Sequence, residues 1–386
     1  MKKKVLKGKS LKLYPNKKQE ELLIRIFGST RWLWNNMLNL QETRFKNGGK
    51  FLSRYSLNYI LTQVKKEYPW LKEAESTSLI NINEDLTKAY NNFFDGRSKK
   101  PRFKAKKSEQ SFRINCVNFN IRLVDDKHIR IPIIGIIPFK SSSIPEGKIK
   151  SITIRRKPSG IYLASLLMET EIEELPKTNK TCGIDLGLKE LAIFDDGTKF
   201  PLPRFDKNSE IKVHYWQKIC SKRLLKAKEV MKTDKSLTLN DFKNYQKARK
   251  LKAKYEEHIT NQRNDYLHKL SNYIVQNYDV IVLEDLKVKF MIKNHKLARA
   301  ISNAGWNKLE NMIKYKADWY GKTVLQVNPS YTSQTCNVCG CINNKLGYNK
   351  YGWLKVRDWQ CPNCSTQHDR DINAAINILN KGLALI

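Results

Sequence analysis

The chain has 386 residues, with 72 Lys and Arg against 37 Asp and Glu and a formal net charge of +35. That excess, with 17 Tyr, 14 Phe and 8 Trp, points to a polyanion with stackable bases, a nucleic acid, although a Lys-rich background composition accounts for part of it. No apolar signal core follows MKKKVLKGKS, the most apolar run (IPIIGIIPF) is broken by Pro132 and Pro138, and eight cysteines, four of them in two CxxC pairs and four scattered, make no disulfide scaffold, so nothing marks the chain for export or a membrane and a cytoplasmic protein is expected.

A short basic strand occupies residues 1–13 and ends at Pro15. Apolar positions then return at helical spacing through Leu22, Ile26, Trp32, Leu33, Met37 and Leu40, with Asn16 placed to cap the first turn. Residues 76–94 read as one amphipathic helix burying Leu79, Ile82, Leu86, Ala89, Tyr90 and Phe93. The run DGRSKKPRFKAKKSEQSFR, 95–113, has eight basic residues, two acids and no periodicity. It reads as a basic linker, either a solvated face or a phosphate contact, with Arg97, Lys99, Lys100, Arg102 and Lys104 as its candidate nucleic-acid ligands. From 112 to 172 apolar and polar residues alternate, which predicts an antiparallel sheet or small barrel. Two apolar strands, CGIDLG and LAIF, and the turn signal Asp196-Gly197 follow; residues 208–277 are mostly charged helix broken near SLTLND. YDVIVLEDL is a continuous apolar strand of the doubly buried kind, WNKLENMIKYKADWYG an amphipathic helix, and KTVLQVNP a last strand, so the C-terminal half is an α/β sheet.

Three acids interrupt this basic chain where apolar residues dominate. Asp185 lies inside an apolar strand, and a lone buried carboxylate costs several kcal/mol unless a partner or metal meets it. Glu284 closes VIVL, where the carboxyl ends of parallel strands open into a crevice. Asp371 shares a helix face with Ala374, Ala375 and Ile378, and the small alanines let that helix approach the sheet; Asp369, two residues earlier, points elsewhere. Each acid has a plainer reading: a turn acceptor for Asp185, a surface acid for Glu284, an N-cap for Asp371. Together they form a cluster that collects two Mg²⁺ ions for phosphodiester hydrolysis.

CNVC and CPNC place Cys336, Cys339, Cys361 and Cys364 in two knuckles separated by 21 residues that include Gly347, Tyr348, Trp353 and Trp359. This spacing predicts a four-cysteine structural site for one Zn²⁺; Cys341, in CGC, is mis-spaced for the knuckle turn.

GIDLGLKELAIFDDG, RNDYLHKLSNYIVQNYDVIVLEDL, VNPSYTSQTCNVCG and CPNC…HDRDINAAINIL, in this order, resemble the TnpB family of transposon-encoded, RNA-guided DNA endonucleases, relatives of the type V CRISPR effectors. KLYPNKKQEELL, STRWLWNNML and GRSKKPRFK extend the resemblance over nearly the whole chain. It implies a multidomain α+β protein with an RNase H-like (RuvC) nuclease domain over 179–331 and 368–386 and a zinc-ribbon insertion, 332–367, that binds target nucleic acid. It further implies a helical recognition lobe, 14–105, and a β-barrel wedge domain, 1–13 with 106–178. Catalysis then falls on Asp185, Glu284 and Asp371, and zinc on the four knuckle cysteines. The partners implied are a guide RNA from the transposon end and double-stranded target DNA carrying an adjacent motif, with Ser76, Thr77 and Asn81 aligned to the motif-reading helix. Monomer and dimer both stay open. Family members without the acids act as RNA-guided repressors, and an RNase H-like transposase or resolvase working without RNA is the other alternative. All three acids are present here.

Overall fold

The computed structural model describes residues 2–346 and 356–386, so Gly347, Tyr348 and Trp353 lie outside the described residues. The chain forms two compact units: residues 4–171 with 223–254, and residues 1–3 and 172–222 with 255–386.

In the first unit, strand β1 (Lys2–Leu13) leads into helix α1 (Lys17–Lys46). Asn16 caps α1 in a reciprocal box: its side chain accepts from the Gln19 amide (2.9 Å), and Gln19 accepts from the Asn16 amide (3.0 Å). Helices α2 (Arg54–Glu67) and α3 (Ser76–Phe94) follow, α3 with the bounds its periodicity predicts. It buries Leu79, Ile82, Leu86 and Tyr90; Phe93, expected on the same side, lies in the last turn and is 37% exposed. Strands β2 (Gln110–Asn115), β3 (Arg122–Leu123), β4 (His128–Ile131), β5 (Gly135–Lys140), β6 (Lys148–Arg156) and β7 (Tyr162–Glu173) join β1 in a seven-stranded sheet of order β2-β6-β7-β1-β5-β4-β3. Sheet and helices bury one continuous core that runs from Leu11 and Leu13 through Leu33, Met37 and Leu86 to Ile152 and Leu166. Among the described residues no ladder joins β2 to β3, so the sheet has two edges where a closed barrel has none.

In the second unit, β8 (Thr181–Asp185), β9 (Glu190–Phe194) and β10 (Lys199–Pro201) form an antiparallel meander, with Gly197 at φ +85° in the predicted turn. The long helices α4 (Phe205–Thr233) and α5 (Lys243–Asn277), whose residues 223–254 belong to the first unit, break at the expected place. Strand β11 (Val280–Glu284), helices α6 (Val288–Met291), α7 (Ala298–Ala304) and α8 (Trp306–Tyr320), strand β12 (Thr323–Val327), hairpin β13 (Asp358–Gln360) and β14 (Gln367–Asp369), and helix α9 (Arg370–Leu383) complete it. The main sheet has the order β10-β9-β8-β11-β12, with β11 parallel to both neighbours.

Strand β11 is apolar up to its last residue, Glu284, because both its faces are covered. Ile281 and Leu283 pack with Leu267 and Ile274 of α5 and Ile313 of α8, while Val282 packs with Ile378 of α9. Helix α9 comes unusually close. A Cβ on Gly183 would overlap the Ala375 carbonyl oxygen and lie 2.7 Å from Leu379 Cβ, and one on Gly382 would overlap both methyls of Val282. The small residues therefore set the distance of α9 from the sheet. Among the described residues no helix is long and apolar enough to cross a membrane.

Candidate active site and metal centre

Parallel pairing of Ile184 with Leu283 brings β8 and β11 to a common end, and there the next residues are Asp185 and Glu284. Helix α9 lies across the same strands and begins with Asp371 in its first turn. Asp185 feels both other acids: burial first, then the Glu284 and Asp371 carboxylates, push its carboxyl well above the usual range, against a smaller opposing pull from Arg370 and Arg357. Among the described residues no donor hydrogen-bonds the Asp185 carboxylate. Glu284 is 6% exposed and is also raised by burial, offset by a 2.7 Å bond from Thr332 Oγ1 and by Lys381. Both oxygens of Asp371 are occupied, Oδ2 by Arg357 and Oδ1 by Arg370 at 3.0 Å. The three carboxylates are electrostatic neighbours, and the two guanidiniums lower the cost of assembling them, but among the described residues the knuckle cysteines alone have ligand atoms within 4.8 Å of one another.

Asp369 takes the capping role that Asp371 had as its plainer reading. Its Oδ1 accepts from the amides of Asp371 (2.9 Å) and Ile372 (3.1 Å), and Oδ2 pairs with Lys199 at 2.6 Å. Burial pushes its carboxyl up, but the Lys199 bond and the two amides prevail and hold it below the usual range. Asp369 thus starts the helix, which leaves Asp371 to face the strand acids.

The knuckle sulfurs of Cys336, Cys339, Cys361 and Cys364 all lie within 4.8 Å of one another, with Cys336–Cys364 at 3.6 Å and Cys339–Cys361 at 3.5 Å. A tetrahedron with metal–sulfur bonds of about 2.3 Å has edges of about 3.8 Å, so the four thiols have the dimensions of a metal site. Each knuckle closes in the same way: Gly340 N donates to Cys336 O and Ser365 N to Cys361 O, with both turn residues at positive φ. Thr366 hydrogen bonds draw the Cys364 thiol down to about 6, within reach of the thiolate at neutral pH. Cys341 stays outside the cluster. His368, buried on β14, places Nε2 3.1 Å from Cys336 Sγ, a contact no spacing rule foretells.

The candidate nucleic-acid ligands divide by environment. Trp34 and Asn35 of α1 pin the basic linker through the backbone of Arg102 and Lys104, and the Lys104 ammonium sits 3.8 Å over the Trp34 ring. Lys100 pairs with Glu42 at 3.0 Å and Arg97 with Asp95, whereas Lys99 and Arg102 are exposed with no ion pair among the described residues. Asn81 is 1% exposed and donates to Arg113 O; Thr77 donates to Glu75 and accepts from the Asn115 amide. These two lock α3 to β2. Ser76 remains at the surface, within 3.2 Å of Lys65 Nζ.

Known proteins match this chain along its length. A model described as "Cas12f1-like, TNB domain" covers residues 306–378, one described as "Probable transposase" covers 165–295, and one described as "Helix-turn-helix domain" covers 1–50, which here fold as β1 and the single long helix α1. A Streptomyces pristinaespiralis protein named as a candidate RNA-guided DNA endonuclease is 34% identical over 386 residues, covering 97% of this chain and 88% of its own. The similarly named InsQ of Escherichia coli K12 is 29% identical over 403 residues, covering 99% and 93%. The Cas12f1 chain solved with its sgRNA and target DNA shares the fold, with a TM-score of 0.52 and 14% identity over 98% of this chain and 99% of that one.

Proposed function

Because the chain belongs to the TnpB family of RNA-guided DNA endonucleases, we propose that it binds a guide RNA derived from a transposon end and uses it to cleave double-stranded DNA beside a short adjacent motif. The observation that carries this reading is the convergence of Asp185, Glu284 and Asp371 at one end of the parallel strands, with Asp185 held well above the usual carboxylate range by burial and by the other two acids. The strand order, with an antiparallel second strand and two parallel strands added on the other side of β8, supports the RNase H-like (RuvC) assignment. A repressor that only binds has no use for a buried Glu284 and a half-buried Asp371 set beside Asp185, whose carboxyl both of them push up.

Asp185, Glu284 and Asp371 would hold two Mg²⁺ ions, which supply an activated water and neutralise charge on the leaving oxygen. The remaining work is done by the chain itself. Thr332 orients the Glu284 carboxylate, Arg357 and Arg370 steady Asp371, and Asp369 fixes the helix start. The four knuckle thiolates would hold one Zn²⁺ with no open position, a structural ion. The +35 charge collects the RNA and DNA backbones, with Lys99 and Arg102 as the available linker contacts and Ser76 as the surface residue of the motif-reading helix.

The test is cleavage of a guide-matched DNA by the assembled protein–RNA complex. Asp185→Ala, Glu284→Ala and Asp371→Asn should each lower the rate by about a hundredfold or more while target binding persists. Asp369→Asn keeps a capping oxygen and should cut normally. Wild-type cutting by Asp371→Asn would contradict the assignment.

A further inference from the structure

Helix α9 carries a second stripe beside its small-residue face. Asn373, Asn377 and Lys381 follow one another at i+4 spacing, so they share one side of the helix. All three bond to one segment, residues 328–337, which connects β12 to the first knuckle. Asn373 Nδ2 donates to Thr335 O at 2.8 Å, and its Oδ1 accepts from the Asn337 amide at 3.0 Å. Asn377 Nδ2 reaches Thr332 O at 2.8 Å and Thr335 O at 2.6 Å, and Lys381 Nζ donates to Ser330 O at 2.7 Å. The same segment supplies Thr332, whose hydroxyl lies 2.7 Å from Glu284 Oε1, and Cys336, the first knuckle thiol. Asn373, Asn377 and Thr332 are 2%, 8% and 4% exposed, so these bonds are made away from water, where losing one leaves a buried polar group unmet.

We propose that residues 328–337 act as a strap through which the metal held at the knuckles positions the acid cluster, with Thr332, Asn373 and Asn377 as its positioning residues. Binding at Cys336 fixes one end of the strap. The strap orients Glu284 through Thr332 and holds α9, and with it Asp371, through the two asparagines. On the other side of the knuckle, His368 touches Cys336 and its neighbour Asp369 caps α9, so the helix start is held from both directions. Filling one metal site therefore tightens the other, although no residue belongs to both. The proposal rests on the acid-cluster reading above.

The experiment measures Mn²⁺ affinity by electron paramagnetic resonance on the full-length, RNA-free, zinc-loaded chain, with Asp185→Asn as the background. Thr332→Val is nearly isosteric and removes only the hydroxyl; Asn377→Ala removes the rung between helix and strap. Each should keep one zinc per chain and bind Mn²⁺ about tenfold more weakly, the size of effect expected for an outer-sphere partner. Thr332→Ser should restore the affinity, and the zinc-free wild-type chain should show the same loss. In the RNA-loaded complex, the cleavage rate should fall in parallel while target affinity holds. If Asn377→Ala fails to fold, the Thr332→Val and Thr332→Ser pair decides. Unchanged Mn²⁺ affinity in zinc-loaded Thr332→Val overturns the strap alone. A wild-type chain that binds no Mn²⁺ above the Asp185→Asn background overturns the acid-cluster reading, and the strap with it.

Discussion

Asp185 is a residue placed at the expense of stability. Burial and two neighbouring carboxylates raise its folded pKa, so the folded chain holds this proton more tightly than the unfolded chain does. The sign follows: Asp185 costs nothing below the unfolded value of about 3.9, and its cost grows as pH rises toward the folded value. Asp185→Asn should therefore melt higher than wild type at pH 7 without divalent ions, by roughly 2–4 °C for each kcal/mol relieved. The gain should shrink as pH falls toward 4, and Mg²⁺ should raise the wild-type melting temperature but not the variant's. Calorimetry at several pH values checks this, and a variant that melts no higher than wild type at pH 7 contradicts it. Two of the proposed acids stand out in sequence as candidates, because an acid inside CGIDLG or at the end of VIVL breaks an apolar pattern. The partners of the acids do not: Thr332, Arg357 and Arg370 carry no local signal and matter only once α9 and the hairpin are folded against the strands. Asn81 and Thr77 show the converse, since polar residues assigned to a nucleic-acid surface turn inward to bond β2.

At the level of elements, the site depends on how closely α9 approaches β8. Gly183 has no room for a methyl group, because its Cβ would meet the Ala375 carbonyl and Leu379. Gly183→Ala should lift the helix, destabilise the second unit by about 1–3 kcal/mol and displace Asp371 enough to impair cleavage, whereas RNA binding should be unaffected. Denaturant unfolding and single-turnover cleavage would check both parts, and wild-type stability would contradict the packing. Period and punctuation made most elements readable: α3 begins and ends where its apolar spacing does, and the break between α4 and α5 falls at SLTLND. The basic linker was less readable, because Trp34 and Asn35, far away in sequence, dock its backbone onto α1 and take Lys104 out of solution. Sheet closure was also beyond the alternation of residues, which reports the faces of strands and says nothing about whether the outer two strands meet.

For the whole molecule, the charge of +35 and the acids divide the labour in the proposed function: distributed cations would hold nucleic acid, and Asp185, Glu284 and Asp371 would cut it. The chain matches family members from end to end, so composition, motifs and fold lead to one activity, RNA-guided DNA cleavage. The target is written in the RNA, and no residue of this sequence encodes it. The most direct measurement is therefore to recover the RNA that co-purifies with the full-length protein, replace its DNA-pairing segment, and assay Mg²⁺-dependent cleavage of plasmids matched to the old and new segments. Cutting should move to the newly matched plasmid, vanish when the RNA is digested before assembly, and vanish in Asp185→Ala. Cutting that ignores the guide, or that survives loss of the RNA, would contradict the account.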